Sequence, residues 1–364
     1  MKNKIQIEKL KLEKIDKKTF NFIKKSLPGI SLSQWKWEYL NSNCRGYCFL
    51  AKINGILVSH NSFIINQFLL NNKKILVAKS EGSFADLNLI EDIMGKKVKV
   101  FREVVKEALK VMKKENIYLA YGFPNNLGHK SYAYGGYRLE EINIFISNLI
   151  INFNYYFYKK RKSINLISKI FLKVINFLWK SIVISILLYF NRKKITNIKV
   201  VEKKNFKDIE VLFKKVIKKL PKNYLMVFRS ASYINWRYKN NPHHKYFIYG
   251  YYNNNVLEGL IVFNTLNKKK YKNIEIKDLL FINKNVKKYL LSYIFKWCID
   301  NKISVATLWE DQVMLKKYNK YSLIMSGFLR NRLLIKKILI KSILNKKTTN
   351  KNIILELKKY LERT

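Results

Sequence analysis

The sequence predicts an α+β fold that is repeated in tandem, and three observations indicate it. The chain has 364 residues, about twice the length of an ordinary single-core domain. Strand, hairpin and helix patterns follow one another in the same order in two blocks, from about residue 8 to 148 and from about 200 to 340. The two blocks keep a constant register, which indicates an internal repeat.

The register rests on matching motifs. A Trp-x-Tyr sequence occupies 37–39 in the first block and 236–238 in the second, and 236 − 37 = 199. The predicted hairpin turns start at Asn54 and Asn253 with the same offset, since 253 − 54 = 199. Apolar residues at helical spacing then predict long helices over 100–112 and 286–298, each followed by a strand, over 117–123 and 303–309.

These patterns divide the chain into four parts. We predict two domains, 1–150 and 196–345, each with a mixed, mostly antiparallel sheet flanked by helices. A basic amphipathic helical linker is predicted over 151–195, and a C-terminal basic helix over 346–364.

The charge balance favours anionic partners. Lys and Arg number 72 against 24 Asp and Glu, which gives a formal net charge of +48. Nucleic acid, phosphate-rich metabolites and an anionic membrane surface all fit such a charge. Lys greatly outnumbers Arg, and Asn, Ile and Tyr are abundant, which is typical of a codon bias toward A and T. The charge alone therefore does not predict a nucleic-acid binder.

The cysteines are few and scattered. Cys44, Cys48 and Cys298 form no C-x-x-C pair, and together with the four histidines they show no metal-ligand spacing. We predict no metal site and no disulfide framework, which fits a reducing cytoplasm. The charged N-terminal sequence predicts no signal peptide.

The segment from 164 to 190 is apolar but interrupted by lysines. Lys169, Lys173 and Lys180 recur at helical spacing, and a basic run at 159–162 precedes them. The pattern predicts an amphipathic helix, for which two roles stay open. It contacts an anionic membrane peripherally, at the inner face, or it packs between two domains.

A family resemblance follows from the sequence Tyr121-Gly122-Phe123-Pro124-Asn125-Asn126, which comes directly after the predicted helix and strand. With the Trp-Lys-Trp-Glu-Tyr opening and the closing Gly136-Tyr137, it resembles the GNAT-superfamily N-acetyltransferases of bacterial surface-polysaccharide gene clusters. The resemblance covers about residues 30–148, and the second block resembles a degenerate GNAT-like half. It implies two tandem GNAT-like (acyl-CoA N-acyltransferase) domains. It also implies a cytoplasmic enzyme that moves an acyl group from acetyl-CoA to an amine, such as an amino-sugar.

Acyl transfer from a thioester requires residues that hold the pyrophosphate and the pantetheine. A helix N-terminus commonly binds the pyrophosphate, and the resemblance places that turn just before Phe101. The candidates there are Gly95, Lys96, Lys97 and Lys99. Lys99 stands where the family has a glycine. Asn125 and Asn126 are candidates for hydrogen bonds to the pantetheine amides, or for capping the following helix.

Glu81 and Tyr132 are the candidate catalytic residues. Glu81 follows the third strand pattern, where the superfamily often has an acidic residue that takes the proton from the amine, and Asp86 is the reserve. For the acid that protonates the leaving thiolate, the resemblance implies a tyrosine after the Pro-Asn turn. Tyr132 is favoured there over Tyr134 and Tyr137. A solvated carboxylate and a structural tyrosine remain the plain alternatives.

Trp37 and Tyr39 are candidate acceptor-binding residues, because an aromatic ring can stack on a sugar. The alternative is that both are core aromatics, since Trp236 and Tyr238 repeat them in the half that has no phosphate-binding turn.

Two rival functions stay open. Fem-type peptidyl transferases also have two GNAT-like halves, but they take aminoacyl-tRNA. The other rival is a catalytically degenerate GNAT-like scaffold that docks on a membrane, which Lys99 in place of glycine favours.

Overall fold

A computed structural model of the chain describes residues 4–25, 27, 29–40, 45–70, 73–117, 119–122, 126–136, 138–152, 166–189, 192–219, 226–268, 271–311, 328–329 and 334–342. It divides into two compact units. The first comprises Met1–Ile142, Pro221–Phe228 and Lys336–Arg363. The second comprises Asn143–Leu220, Arg229–Ile335 and Thr364.

A mixed sheet forms the centre of the first unit. Its spatial order is β1 (Ile5–Lys11), β2 (Arg45–Ile53), β3 (Ile56–Leu70), β4 (Lys73–Ala85), β5 (Leu119–Gly122) and β14 (Leu334–Ser342). Neighbouring strands are antiparallel except β4 and β5, which are parallel. A short strand, β8 (Met226–Val227), also pairs with β3. The helices are α1 (Lys17–Lys24), α2 (Leu32–Tyr39), α3 (Leu87–Met94), α4 (Val100–Lys114) and α5 (Asn126–Tyr134).

Local sequence explains the hairpin and the main helix of this unit. Asn54 and Gly55 both have positive φ angles, 51° and 78°, which is the backbone that a two-residue hairpin turn requires. The apolar stripe of α4 is fully buried against the sheet, in one core with β2, β3 and β4.

The second unit has a sheet of the same plan. Its spatial order is β7 (Ile198–Val200), β9 (Tyr246–Asn253), β10 (Val256–Lys268), β11 (Tyr271–Phe281), β12 (Val305–Asp311) and β6 (Arg138–Ile150), and β13 (Phe328–Leu329) also pairs with β6. Only β11 and β12 are parallel. The helices are α6 (Leu166–Tyr189), α7 (Arg192–Ile195), α8 (Phe206–Lys218), α9 (Ala231–Ile234) and α10 (Lys284–Asp300). The chain continues from α9 into a π-helical turn, Asn235–Lys239.

The predicted repeat is visible in detail at the helix that precedes each hairpin. The Ser31 hydroxyl caps α2 by accepting from the Gln34 amide, and the Ser230 hydroxyl caps α9 by accepting from the Tyr233 amide. The two serines are 199 residues apart (230 − 31 = 199), which is the offset that the sequence predicts. The predicted fold class is therefore confirmed: both units are α+β, with mixed, mostly antiparallel sheets flanked by helices.

Each unit contains a strand from the other half of the sequence. Residues 144–150 of β6 pair with β12 in the second unit, and residues 339–342 of β14 pair with β5 in the first. We did not anticipate either strand. The domain boundaries 1–150, 151–195, 196–345 and 346–364 stay a prediction, and the last segment lies outside the described residues.

The basic amphipathic segment forms α6, a helix of 24 residues. Among the described residues, no helix is long and apolar enough to cross a membrane.

Candidate active site of the first unit

A β-bulge in β4 distorts the middle of the first sheet. Ser62 of β3 pairs with Glu81 of β4, but His60 pairs with Phe84, so two residues of β4 lie opposite Asn61. Gly82 is one of these two and has a φ angle of 60°, which residues with a Cβ rarely adopt. The bulge shifts which side chains share a face, because alternation along a regular strand would put residues 80 and 83 on opposite sides.

A hydrogen-bonded cluster lies at the bulge. We call Asn61, Ser80, Ser83 and Tyr132 the bulge cluster. The hydroxyls of Ser80 and Ser83 donate to Asn61 Oδ1 at 3.0 and 2.9 Å, and Asn61 Nδ2 donates to Tyr132 Oη at 3.1 Å. Tyr132 Oη also contacts Ser83 Oγ at 3.2 Å and hydrogen-bonds with Ser80 Oγ. The phenol of Tyr132, on α5, is thus held by side chains from two strands, β3 and β4.

Tyr132 is held in its protonated form. Its side chain is buried, and its ring meets Phe101 of α4 edge to face, with 5.9 Å between centroids. Burial raises the pKa of the Tyr132 hydroxyl, and its hydrogen bonds with Ser80, Ser83 and Asn61 oppose this without cancelling it. The group is therefore protonated at neutral pH and can donate a hydrogen bond.

Glu81 follows Ser80 on β4 and forms an ion pair. Its carboxylate is 2.5 Å from Lys79 Nζ, and the same ammonium lies 3.6 Å from the Glu38 carboxylate. Burial alone would lower the pKa of Lys79, but the charges of Glu81, Tyr121 and Glu38 raise it overall. Lys79 is therefore a charged partner of Glu81 in the folded protein.

The end of the β4–β5 ladder lies next to these groups. The parallel pairing ends at Lys79 and Tyr121, and a Cβ on Gly122 would lie 3.3 Å from the carbonyl oxygen of Ser80. Phe123, Pro124 and Asn125 lie outside the described residues. The backbone of Asn126 begins α5, and its side chain is likewise not described.

The start of α4 carries a group of cations. Gly95 is not part of α4; it ends α3 in the left-handed conformation, with a φ angle of 66°. Lys96, Lys97 and Lys99 are exposed, and Lys99 precedes the first helical residue without a side-chain hydrogen bond that caps the helix. We call Lys96, Lys97, Lys99 and Arg102 the α4 cation group.

Arg102 adds a buried donor to this group. Within the described residues, its Nε is buried and has no hydrogen-bond partner. Lys99 Nζ and the Arg102 guanidinium lie 5.3 and 5.6 Å from the centre of the Tyr134 ring. Unsatisfied donors and positive charges at a helix N-terminus suit an anionic ligand such as a phosphate.

Trp37 and Tyr39 both lie in the core of the first unit. Their exposed fractions are 7% and 1%, and the Tyr39 ring stacks on Trp35 with 5.2 Å between centroids. This is the core-packing role that we gave as the alternative to acceptor binding. Tyr39 Oη has no hydrogen-bond partner among the described residues, and burial, with Glu81 and Glu38 nearby, raises the pKa of its hydroxyl well above the usual value.

The second unit has different chemistry at the corresponding place. Asp278 stands 199 residues after Lys79 (278 − 79 = 199), and it accepts from Arg229 Nε and Nη2 at 2.8 and 3.1 Å and from Tyr238 Oη at 3.2 Å. Burial opposes the charge on Arg229, but Asp278 raises the pKa of Arg229 overall. This cluster is closed by its own hydrogen bonds.

The first turn of the corresponding helix in the second unit, α10, is capped by a side chain. The Asn283 side chain caps α10 by accepting from the Val286 amide at 3.0 Å. A Cβ on Gly259 would lie 2.4 Å from Val286 Cγ1, so α10 packs directly on β10. These contacts distinguish α10 from α4, which lacks such a cap.

Neither unit offers a metal site in its described part, since no three His, Cys, Asp or Glu residues are grouped there. Cys48 and Cys298 are buried free thiols.

Sequence reasoning missed several members of the site. Asn61, Ser80 and Ser83 gather around Tyr132 only because of the bulge, and Gly82 is the one signal for it in the sequence. Lys79 and Arg102 were also missed.

Comparison with known proteins gives a fold. Neither a protein-family model nor a curated protein sequence matches the chain. A GCN5-related N-acetyltransferase from Anabaena variabilis matches 93% of this chain and 73% of its own, with a TM-score of 0.57 and 9% identity. A probable N-acyltransferase from Enterococcus faecalis matches 93% and 72%, with a TM-score of 0.59 and 12% identity.

A third structure is similar over nearly the whole chain. Saccharomyces cerevisiae N-myristoyltransferase with bound myristoyl-CoA matches 94% of this chain and 86% of its own, with a TM-score of 0.55 and 10% identity. The chain therefore has the fold of GCN5-related N-acetyltransferases.

Proposed function

We propose that the chain is an acyl-CoA-dependent N-acyltransferase whose site lies in the first unit. The observation that carries this proposal is the uncapped, cationic start of α4, next to the buried phenol of Tyr132. The fold supports the same reaction class, because it is shared with N-acetyltransferases and with a protein that binds myristoyl-CoA.

The proposed donor is acetyl-CoA. Its phosphates would bind the α4 cation group at the first turn of α4. Gly95 ends α3 just before this group, where it lets the chain turn toward α4. Asn125 and Asn126 stay candidates for the pantetheine amides.

Proton transfer would be divided between two residues. The acceptor amine attacks the thioester carbonyl and loses a proton to Glu81, directly or through water, while the C–S bond breaks. The CoA thiolate leaves and takes a proton from Tyr132. Ser80 and Glu81 are adjacent on β4 and so project to opposite faces. The reacting carbonyl carbon would therefore lie at the end of the β4–β5 pairing, past Lys79 and Tyr121, where groups from both faces can reach it.

The proposed acceptor is an amino-sugar or a related precursor of a surface polysaccharide. The sequence Tyr121-Gly122-Phe123-Pro124-Asn125 supports this through its family resemblance. Work in a reducing cytoplasm is supported by the free thiols of Cys48 and Cys298. Acceptor binding by Trp37 and Tyr39 would require both rings to leave the core, so we do not carry it into the proposal.

The test is binding of acetyl-CoA to the full chain. We expect acetyl-CoA to raise the melting temperature, because a ligand that binds the native state stabilises it. Replacing Lys96, Lys97 and Lys99 together by Ala should weaken binding by about tenfold or more, since charged hydrogen bonds are lost. The matched control replaces three exposed lysines of α8, Lys207, Lys215 and Lys218, by Ala.

Equal binding by the wild type and the α4 triple variant would remove the α4 cation group from the proposal. No stabilisation by acetyl-CoA at all would favour the hypothesis of a catalytically degenerate scaffold that docks on a membrane. Stabilisation by aminoacyl-tRNA instead would favour the Fem-type reading.

A further inference from the structure

The helix α6 exposes a row of large apolar side chains to solvent. Ile167, Phe171 and Phe177 are 80%, 63% and 71% exposed, and Ile170, Val174 and Leu178 are each more than half exposed. Each of these six residues, which we call the α6 stripe, has another member three or four positions away, so they share one face of the helix. The surfaces of soluble proteins rarely expose such a contiguous apolar face unless it binds a partner.

The stripe is presented by a helix that is fixed to the second unit. Leu172 and Asn176 are buried, and Trp179 packs against the core formed by β9 to β12 and α10. These residues lie on the side of α6 away from the stripe. The exposed row is therefore a defined surface of the unit, held in place by its opposite face.

The sequence around the stripe is basic and lacks any acid. Between Glu141 and Glu202 there is no Asp or Glu. Lys169, Lys173 and Lys180 are spaced four and seven residues apart, which puts these positions on one face of α6. Lys173, Lys194 and Lys199 are exposed.

Charge decides between the occupants that an apolar face could take. A second copy of this chain would bring an equally acid-free basic surface against this one, and the two would repel. A bilayer with anionic headgroups offers the opposite sign of charge, together with an apolar layer directly beneath it. Helices with lysines beside a row of Phe, Ile and Leu lie in that interface, with the apolar face in the boundary between headgroups and acyl chains.

We propose that the α6 stripe binds the surface of an anionic lipid bilayer, with α6 lying in the plane of the interface. This surface belongs to the second unit and does not depend on acyl transfer.

The test is flotation of the full chain with vesicles of phosphatidylcholine, with or without phosphatidylglycerol. A net charge of +48 by itself would hold the protein on the anionic vesicles at low salt, so the informative variant leaves the charge unchanged. F171Q combined with F177Q removes two aromatic side chains from the stripe. We expect binding to anionic vesicles at physiological salt to fall about tenfold or more, because apolar insertion is lost.

Three further comparisons separate this expectation from other causes. V211Q removes an exposed apolar side chain of α8, outside the stripe, and should bind as the wild type does. Circular dichroism and the melting temperature should be unchanged in every variant, since the replaced side chains are exposed. K173Q should weaken binding to anionic vesicles only.

Wild-type binding by the double Phe variant would overturn the proposal, because charge alone would then explain attachment. A wild-type dimer that the double variant converts to a monomer, with vesicle binding unchanged, would overturn it in favour of a second copy.

Discussion

Tyr132 shows how a buried hydroxyl can be held in its protonated form by its surroundings. The bulge in β4 brings Ser80 and Ser83 to the same side, and Asn61 completes the contacts of the phenol. Since burial raises the pKa of Tyr132, the hydroxyl stays protonated at neutral pH and keeps a hydrogen that it can donate to a group beside it.

Replacing Tyr132 by Phe should separate catalysis from folding. The ring and its contact with Phe101 remain, and Asn61 keeps its bonds to both serines, so we expect the free energy of unfolding to fall by only about 1 kcal/mol. Turnover should fall by about 100-fold with acetyl-CoA binding unchanged. Steady-state kinetics and calorimetry measure the two effects. Y252F, on a half-buried tyrosine of β9, is the control, and unchanged turnover in Y132F would exclude a role in proton transfer.

Glu81→Gln should lower turnover by about 100-fold if Glu81 accepts the amine proton. Glu38→Gln is the matched control, because it removes the other carboxylate beside Lys79 and leaves the proposed base in place. Similar losses in the two variants would mean that the ion pair, and not the base, is what matters for activity.

The ion pair of Lys79 with Glu81 predicts that the stability lost in Glu81→Gln depends on pH. Because the pKa of Lys79 is raised in the folded protein, its ion pairs stabilise the fold fully below the ordinary lysine pKa of about 10.4, and this stability is lost as the pH rises through the raised value. The gap in unfolding free energy between wild type and E81Q should therefore be largest near neutral pH and close in alkaline solution. Urea unfolding across the pH range measures it, and a gap that widens with rising pH would contradict the assignment.

The helices α4 and α10 differ in how their first turns are capped, so substitutions at these turns should change the free energy of unfolding by different amounts. Asn283 caps α10 with its side chain, so Asn283→Ala should cost about 1 kcal/mol. Lys99 makes no such bond at α4, so Lys99→Ala should change stability by less than about 0.5 kcal/mol while it weakens acetyl-CoA binding. Chemical denaturation compares the two, and a large cost for Lys99→Ala would assign it a structural role.

Elements defined by local patterns were predictable. The apolar spacing in α4 and the Asn54-Gly55 turn each depend on residues a few positions apart, and the structure has the helix and the hairpin where they were expected. The bulge cluster was not predictable in the same way. It requires the register between β3 and β4, and in the sequence only Gly82 signals that the register shifts.

At the scale of the whole molecule, strand pairing was the least predictable feature. Residues 144–150 of β6 join the sheet of the second unit, and β14 joins the sheet of the first, although neighbouring strands in sequence usually pair. The composition of these strands does not identify a partner, because every non-proline residue has the same backbone donor and acceptor.

Removing β14 should weaken the first unit, because this strand completes its sheet. Truncation after Leu333 deletes the strand that pairs with Leu119–Gly122 and leaves β5 as an open edge. We expect a lower melting temperature, aggregation, and loss of the stabilisation by acetyl-CoA. Truncation after Ser342 keeps β14 and is the control. If both truncated chains behaved alike, β14 would not support the donor site.

The pairing of β14 with β5 also determines how late in translation the sheet of the first unit can be completed. Gly122 pairs with Leu339, which lies 217 positions later in the sequence (339 − 122 = 217), so a ribosome must translate far past β5 before its partner strand exists. Until then the nascent protein carries an unfinished strand edge, which is the kind of surface that chaperones shield. Completion of the first unit's sheet is thereby postponed until synthesis has passed Ser342.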